Sequence, residues 1–298
     1  MKKEVKNIAV SVRARLINIA DESKRDYNAL LRLYFQERFL YRLSVSSYKP
    51  KLVLKGALLL MTNDISKFRP TKDIDFLGNA VLNEIEECKK AIREIAIIDC
   101  RDGVEFLVDN VSAERIKEDS DHEGVRIHLP YKMDTIKGYL SIDIGFGDKV
   151  VRGPYEIDFP TLLDFPSPLI FIYSLESAIA EKFEAIVKLN FVTSRMKDFF
   201  DLIFIAERTK FNIKNLGEAI LITFKNRGTD IEDRRLIYNE SFKMNAQKQV
   251  QWKSFLSRNK LTAEVDFAAV VDKIKSFIEP VLIGRGEETW NHKEWKWQ

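Results

Sequence analysis

The stretch Asp73-Ile-Asp75-Phe76 constrains this chain more than any other. Side chains alternate between the two faces of a strand, so both carboxylates share one face while Ile74 and Phe76 share the other. Two acids side by side over an apolar underside call for a sheet with one polar face, and for something positive between the acids. Mg²⁺ is the usual resident, because this hard cation takes carboxylate oxygens and keeps positions for water and phosphate. Upstream, Lys55-Gly56-Ala57 offers a turn almost bare of side chain. Its backbone N–H groups could approach a triphosphate ahead of a helix N-terminus.

Bulk properties exclude more than they select. With 45% hydrophobic and 31% charged residues over 298 positions, the chain is globular and long enough for two modest domains or one large one. Lys and Arg total 48 against 45 Asp and Glu, so a polyanionic partner would have to be met by a local patch. No apolar run approaches the roughly 18 residues of a membrane span. Met1-Lys-Lys-Glu-Val-Lys lacks the apolar core of a signal peptide, so the expected location is the cytoplasm, with no membrane partner. Cys88 and Cys100 are too few for a disulfide scaffold or a thiolate zinc site, and His122 and His128 do not change that.

Along the chain, Ala9, Val12, Leu16 and Ile19, and then Tyr27, Leu30, Leu31, Tyr34, Phe35 and Phe39, recur at helical spacing. Asp21-Glu-Ser is expected to separate the two helices, and Ser46-Ser-Tyr-Lys-Pro50 to end the second. A short strand over 52–54 leads into Gly56, a second covers 73–77, and a charged amphipathic helix spans 82–94. Strand-like segments follow at 95–99, 104–111, 125–131 and 139–146, an α+β pattern with an antiparallel or mixed sheet. In the last of these, Leu140, Ile142, Ile144 and Phe146 alternate with Ser141, Asp143 and Gly145. Asp143 is therefore either a third site carboxylate or a surface residue of an edge strand.

The prolines at 154, 160, 166 and 168 mark a domain boundary, after which everything reads as helix. In the helix over 174–190, Lys182 falls inside the stripe Leu175, Ala178, Ile179, Ile186 and Leu189. A lysine there snorkels, pairs with a buried acid, or points into a cleft where phosphate arrives. Asp198 shares the apolar face of the next helix with Leu202 and Ile205, one turn before Asp201. Acids at a helix start are also favoured by the macrodipole alone. The tail Trp290-Asn-His-Lys-Glu-Trp-Lys-Trp297 either docks on the chain's own body or stacks on RNA bases.

Taken together, Lys55-Gly56-Ala57, Arg69-Pro-Thr-Lys-Asp73-Ile-Asp75-Phe, Glu181-Lys182-Phe-Glu-Ala185 and Arg195-Met-Lys-Asp198-Phe-Phe-Asp201-Leu resemble the successive motifs of the AbiEii/AbiGii-type nucleotidyltransferase toxins. The likeness covers roughly residues 6–208. That family resembles the DNA-polymerase-β nucleotidyltransferases, with a Gly-Gly or Gly-Ser turn, an Asp-x-Asp pair and a later acid on a neighbouring strand. Ala57 departs from the pattern, since a serine hydroxyl is missing while the backbone donors remain. The gap from the turn to Asp73 is also long.

The resemblance implies a nucleotidyltransferase-like mixed sheet with flanking helices, followed by a helical C-terminal domain. The expected division is 1–48 (N-terminal helices), 49–160 (core sheet) and 161–298 (helical domain). It also implies a toxin held off by a cognate antitoxin, moving a nucleotide from a nucleoside triphosphate to the acceptor end of tRNA. Asp73, Asp75 and Asp143 would bind Mg²⁺, Lys55, Gly56 and Ala57 would cradle the triphosphate, and Lys182 would neutralise phosphate charge with Asp198 orienting it. A small-molecule nucleotidyltransferase, or a non-catalytic protein of the same fold that binds RNA or antitoxin, are the rival expectations.

Overall fold

The computed structural model describes residues 7–62, 69–117, 123–261, 266–284 and 286–298. Residues 1–6 and His122, on which two of the expectations rest, lie outside the described residues. The chain forms two compact units, Met1–Gly147 with Tyr155–Ile172, and Asp148–Pro154 with Tyr173–Gln298. The chain thus passes into the second unit at 148, returns at 155 and leaves the first for good at 172, whereas the expected division was 1–48, 49–160 and 161–298.

The first unit opens with helices α1 (Ile8–Ser23) and α2 (Tyr27–Ser44). The break between them lies at Lys24–Asp26, not at Asp21-Glu-Ser. Lys24 takes a left-handed conformation that closes α1, and the Asp26 side chain caps α2 by accepting from the Ala29 N–H. Then follow β1 (Leu52–Lys55), α3 (Gly56–Leu60), β2 (Asp73–Gly78), α4 (Ile85–Ala96), β3 (Glu105–Phe106), β4 (Ser112–Lys117), β5 (Glu123–Met133), β6 (Ile136–Gly145), β7 (Tyr155–Asp158) and β8 (Leu169–Ile172). They build a mixed sheet in the order β3-β5-β6-β2-β1-β8-β7, with β4 also pairing β5. β2 runs parallel to β6 and β1 parallel to β8, and the other pairs are antiparallel.

Alternation fixes which face is buried. Ile74 and Phe76 of β2, Ile127 and Leu129 of β5, and Leu140, Ile142 and Ile144 of β6 are all fully enclosed. On the same face Phe35 of α2 stacks on Tyr131 at 3.8 Å, and Phe39 meets Phe106 edge-on at 6.0 Å. Burying α2 so completely also buries charge. Arg42 answers this with two bonds to Asp102, at 2.7 and 3.1 Å, and a third to the Val104 carbonyl.

Four local expectations are corrected. The 95–99 segment is not a strand, because Cys88, Ala91, Ile92, Ile95 and Ala96 keep one buried helical face to the end of α4; that helix also starts at 85 rather than 82. Only Glu105–Phe106 of the 104–111 segment pairs, and Val108–Asn110 forms a 3₁₀ turn. β4, with the polar sequence Ser-Ala-Glu-Arg-Ile-Lys, lacks the apolar alternation that would have announced it. Helix does not follow the prolines directly, since β7 and β8 form an antiparallel pair there and β8 adds to β1.

The second unit contains α5 (Leu175–Leu189), α6 (Met196–Ala206), α7 (Ile213–Asn226), α8 (Arg234–Ile237), α9 (Glu240–Lys243), α10 (Ala246–Arg258), α11 (Phe267–Ile283), β9 (Trp290–Asn291) and β10 (Lys296–Trp297). Side chains of Ser174, Asn212, Asn245 and Asp266 cap α5, α7, α10 and α11. The Trp-rich tail docks on its own unit. Trp290 is fully buried and donates to the Ala206 carbonyl at 2.7 Å, while Trp297 stacks on Phe277 and donates to its carbonyl at 2.9 Å. No helix among the described residues is long and apolar enough to cross a membrane.

Candidate active site

Strand register assembles the acids. Lys55 of β1 stands opposite Asp75 of β2, Asp75 beside Asp143 of β6, Asp143 opposite Arg126 of β5, and Arg126 opposite Glu114 of β4. Directly paired residues project to the same face, so these side chains form one row across strands spaced about 4.8 Å apart. Asp73, two residues from Asp75, opens the next row with Ser141 and His128. Asp73, Asp75 and Asp143 therefore share a face, with Lys55 and Arg126 as the cations bracketing the central pair.

Asp143 is not on an edge strand. β6 lies between β5 and β2, and Asp143 is only 7% exposed. A buried carboxylate needs partners, and both of its oxygens accept from Arg126, Oδ1 from Nε at 2.8 Å and Oδ2 from Nη2 at 2.7 Å. Those bonds, against the opposing effect of burial, hold the Arg126 guanidinium protonated well beyond its ordinary range, with the charges of Asp143 and Asp73 adding to the effect.

Gly56 closes the other end of the row. Its φ of +69° is a conformation that disfavours side chains, and a Cβ built on it would lie 2.0 Å from Asp75 Oδ2. The Asp75 carboxylate thus lies against a bare α-carbon at the start of α3, whose first amides lack intrahelical acceptors. Lys55 and Ala57, the other expected turn residues, are both buried. Asp73 and Asp75 on one polar face are a donor set that fits a hard divalent ion. Among the described residues no three acid, thiol or imidazole side chains converge on one point, and Asp143 has both oxygens on Arg126.

Lys182 and Asp198 belong to the second unit. Of the roles open to it, Lys182 takes the pairing with buried acids. Its Nζ lies 2.7 Å from Asp201 Oδ2 and 3.4 Å from Asp198 Oδ1, and Arg195 Nε donates to Asp198 Oδ2 at 2.5 Å. The closer partner of Lys182 is thus Asp201, where the family resemblance set Asp198 to orient it. Burial alone would raise the Asp198 carboxyl, but Lys182, then Arg195 and Lys197, hold it below the ordinary carboxylate range.

The same unit holds a charge cluster that the sequence did not announce. Arg227 bonds Asp148 at 2.9 Å and Glu184 at 3.1 Å, with Glu181 3.3 Å away, and Thr229 donates to Glu184. The stretch around Arg227 reads as a loop. Only the buried phase of Glu184 on α5, among Phe183, Ala185 and Ile186, hints that a cation must arrive.

Residues 38–273 match the profile of the family described as nucleotidyl transferase AbiEii toxin, type IV TA system. No curated protein matches. Solved structures that match include a presumed nucleotidyltransferase of Helicobacter pylori, 16% identical over 87% of this chain and 96% of that one, with a TM-score of 0.46. JHP933 from Helicobacter pylori is 17% identical over 87% and 93%, also at 0.46.

Proposed function

From the premise that the chain belongs to the AbiEii family of nucleotidyl transferase toxins of type IV toxin–antitoxin systems, we propose a Mg²⁺-dependent transfer of a nucleoside monophosphate onto the acceptor end of tRNA. The family's nucleotidyltransferase activity carries with it a nucleoside triphosphate substrate and a cognate antitoxin as restraining partner. The acceptor, the metal and the cytoplasmic setting are our own inference. The observation that carries the reading is the row Lys55–Asp75–Asp143–Arg126, with Gly56 against Asp75.

Asp73 and Asp75 would hold the ion, which when bound neutralises phosphate charge and polarises the α-phosphorus. The backbone from Lys55 to Ala57 would receive the β- and γ-phosphates. The acceptor hydroxyl oxygen bonds to the α-phosphorus as the bond to the bridging oxygen breaks, pyrophosphate leaves, and Asp143 attracts the hydroxyl proton. For Asp143 to act as a third metal ligand, Arg126 would first have to release it. Lys182 is assigned to neutralising phosphate charge and Asp198 to orienting it, roles that rest on the family motif. Most of the acceleration in such a site is electrostatic positioning.

The test incubates the purified protein with each labelled nucleoside triphosphate and total tRNA, with and without Mg²⁺. Label should enter tRNA only with the metal, and Asp75→Ala should abolish transfer and growth inhibition while keeping the fold. An Asp75→Ala protein as toxic as wild type at equal expression would end this reading. Label appearing on a small molecule and not on tRNA would favour the small-molecule acceptor.

A further inference from the structure

The polar face of the sheet does not stop at the carboxylates. Along β6 it continues from Asp143 through Ser141 and Tyr139 to Lys137, three two-residue steps that span about 20 Å. Along β5 it continues from Arg126 through His128 and Pro130 to Lys132, and the register sets His128 opposite Ser141, Pro130 opposite Tyr139, and Lys132 opposite Lys137. On the reverse face Val125, Ile127, Leu129, Tyr131 and Met133 of β5 and Leu140, Ile142 and Ile144 of β6 are buried, so the fold presents the polar face without disturbing the core.

At the far end this face is open. Tyr139, on the part of β6 that runs past the end of β2 and pairs only with β5, is 62% exposed. His128 meets its ring edge-on at 5.1 Å and so stiffens it. Exposed Lys137 lies one step beyond, and Lys132 beside it reaches Glu105 at 2.8 Å. The carboxylates here, Glu105 and Glu114, stand on β3 and β4 at the outer margin. The strip thus offers a held aromatic face flanked by cations, leading to the acids.

We propose that this open β5–β6 face is the track on which a single-stranded RNA end lies, one base stacked on Tyr139 and backbone phosphates at Lys137 and Lys132, so that its terminal hydroxyl arrives at Asp143. The proposal rests on the transfer reading and deepens it by assigning the acceptor surface. A small-molecule acceptor would need only the carboxylate end, whereas a strip of this length fits a chain. Tyrosine stacking and lysine charge suit an unpaired strand of any sequence, because every base has a π-face and every nucleotide a phosphate. Nothing on the strip reads base edges in a fixed pattern, so preference should follow the unpaired state more than sequence.

The experiment measures fluorescence anisotropy of a labelled mixed-sequence single-stranded oligoribonucleotide, and of a blunt duplex of equal length, on the full chain. The single strand should bind at least tenfold more tightly than the duplex. Tyr139→Ala should weaken it about tenfold while Tyr139→Phe retains it, and Lys137→Glu should flatten the salt dependence. In the transfer assay, Tyr139→Ala should raise KM for tRNA and leave KM for the triphosphate unchanged. Because Tyr139 is exposed, these variants should melt with wild type. Equal binding by Tyr139→Ala and wild type, or by duplex and single strand, would overturn the proposal. So would loss of antitoxin binding in Tyr139→Ala with RNA binding intact, which would make the face a protein interface. RNA binding of the expected kind without any transfer would defeat the transfer reading alone.

Discussion

Replacing Arg126 with alanine removes both hydrogen bonds from a carboxylate that has almost no access to water, and leaves Asp143 beside Asp75 with no cation on its β5 side. Removing one partner of a fully buried pair costs about 3–5 kcal/mol, since the remaining charge is stranded. The Arg126 side chain is 36% exposed, so water enters the vacated space and the cost should fall to roughly 2–3 kcal/mol. At roughly 2–4 °C per kcal/mol for a unit of this size, the melting temperature should drop by about 4–12 °C. The double variant Arg126→Met with Asp143→Asn removes both charges and should regain more than half of that loss. Mg²⁺ should stabilise Arg126→Ala more than wild type, because the carboxylates are then free to receive it. Thermal melts of the three proteins, with and without Mg²⁺, measure each quantity. If Arg126→Ala melts with wild type, or the double variant is no better than the single, the pair is not coupled and the reasoning fails.

Gly56→Ala should cost roughly 1–3 kcal/mol from its backbone conformation and displace Asp75, abolishing transfer; full toxicity at equal expression would contradict the bare-turn geometry. Asp198→Asn and Asp201→Asn should both lower the melting temperature, but only Asp198→Asn should reduce turnover per folded molecule, and equal, purely thermal losses would remove Asp198 from the reaction. Burial raises the Glu37 carboxyl to about 7, with Arg38 pulling the other way. The unfolded chain releases that proton from about 4.5, so stability is full below that pH and falls as pH rises to about 7, by at most about 3 kcal/mol. Glu37→Gln should shrink the difference between melting temperatures at pH 5 and pH 7.5, and an unchanged difference would place the titration elsewhere.

Period-2 alternation made Asp73, Asp75 and Asp143 legible, because one buried face dictates where the other points. Register was not legible, since the pairing of Arg126 with Asp143 depends on a hairpin between β5 and β6 that alternation alone does not count out. Lys182 shows the same limit in helices. Its phase on α5 demanded a partner, yet Asp198 and Asp201 both lie within reach of one face of α6, and only packing chose Asp201 as the closer. The 95–99 segment was misread because an apolar run at a helix end is indistinguishable from a short buried strand. β7 and β8 were hidden by the prolines around them.

The excursion of Asp148–Pro154 into the second unit makes the two units inseparable by any single cut. Val151 accepts from the Ser174 hydroxyl and donates to that of Ser177, and Asp148 holds Arg227, so the start of α5 and the end of α7 are stitched to a strap encoded upstream of β7. A fragment beginning at Tyr173 would carry Arg227, Glu181 and Glu184 without Asp148, and Ser174 and Ser177 without Val151. Such a fragment should stay loosely packed until a peptide spanning 148–154 is supplied in trans, which makes the helical unit a natural candidate for fragment complementation.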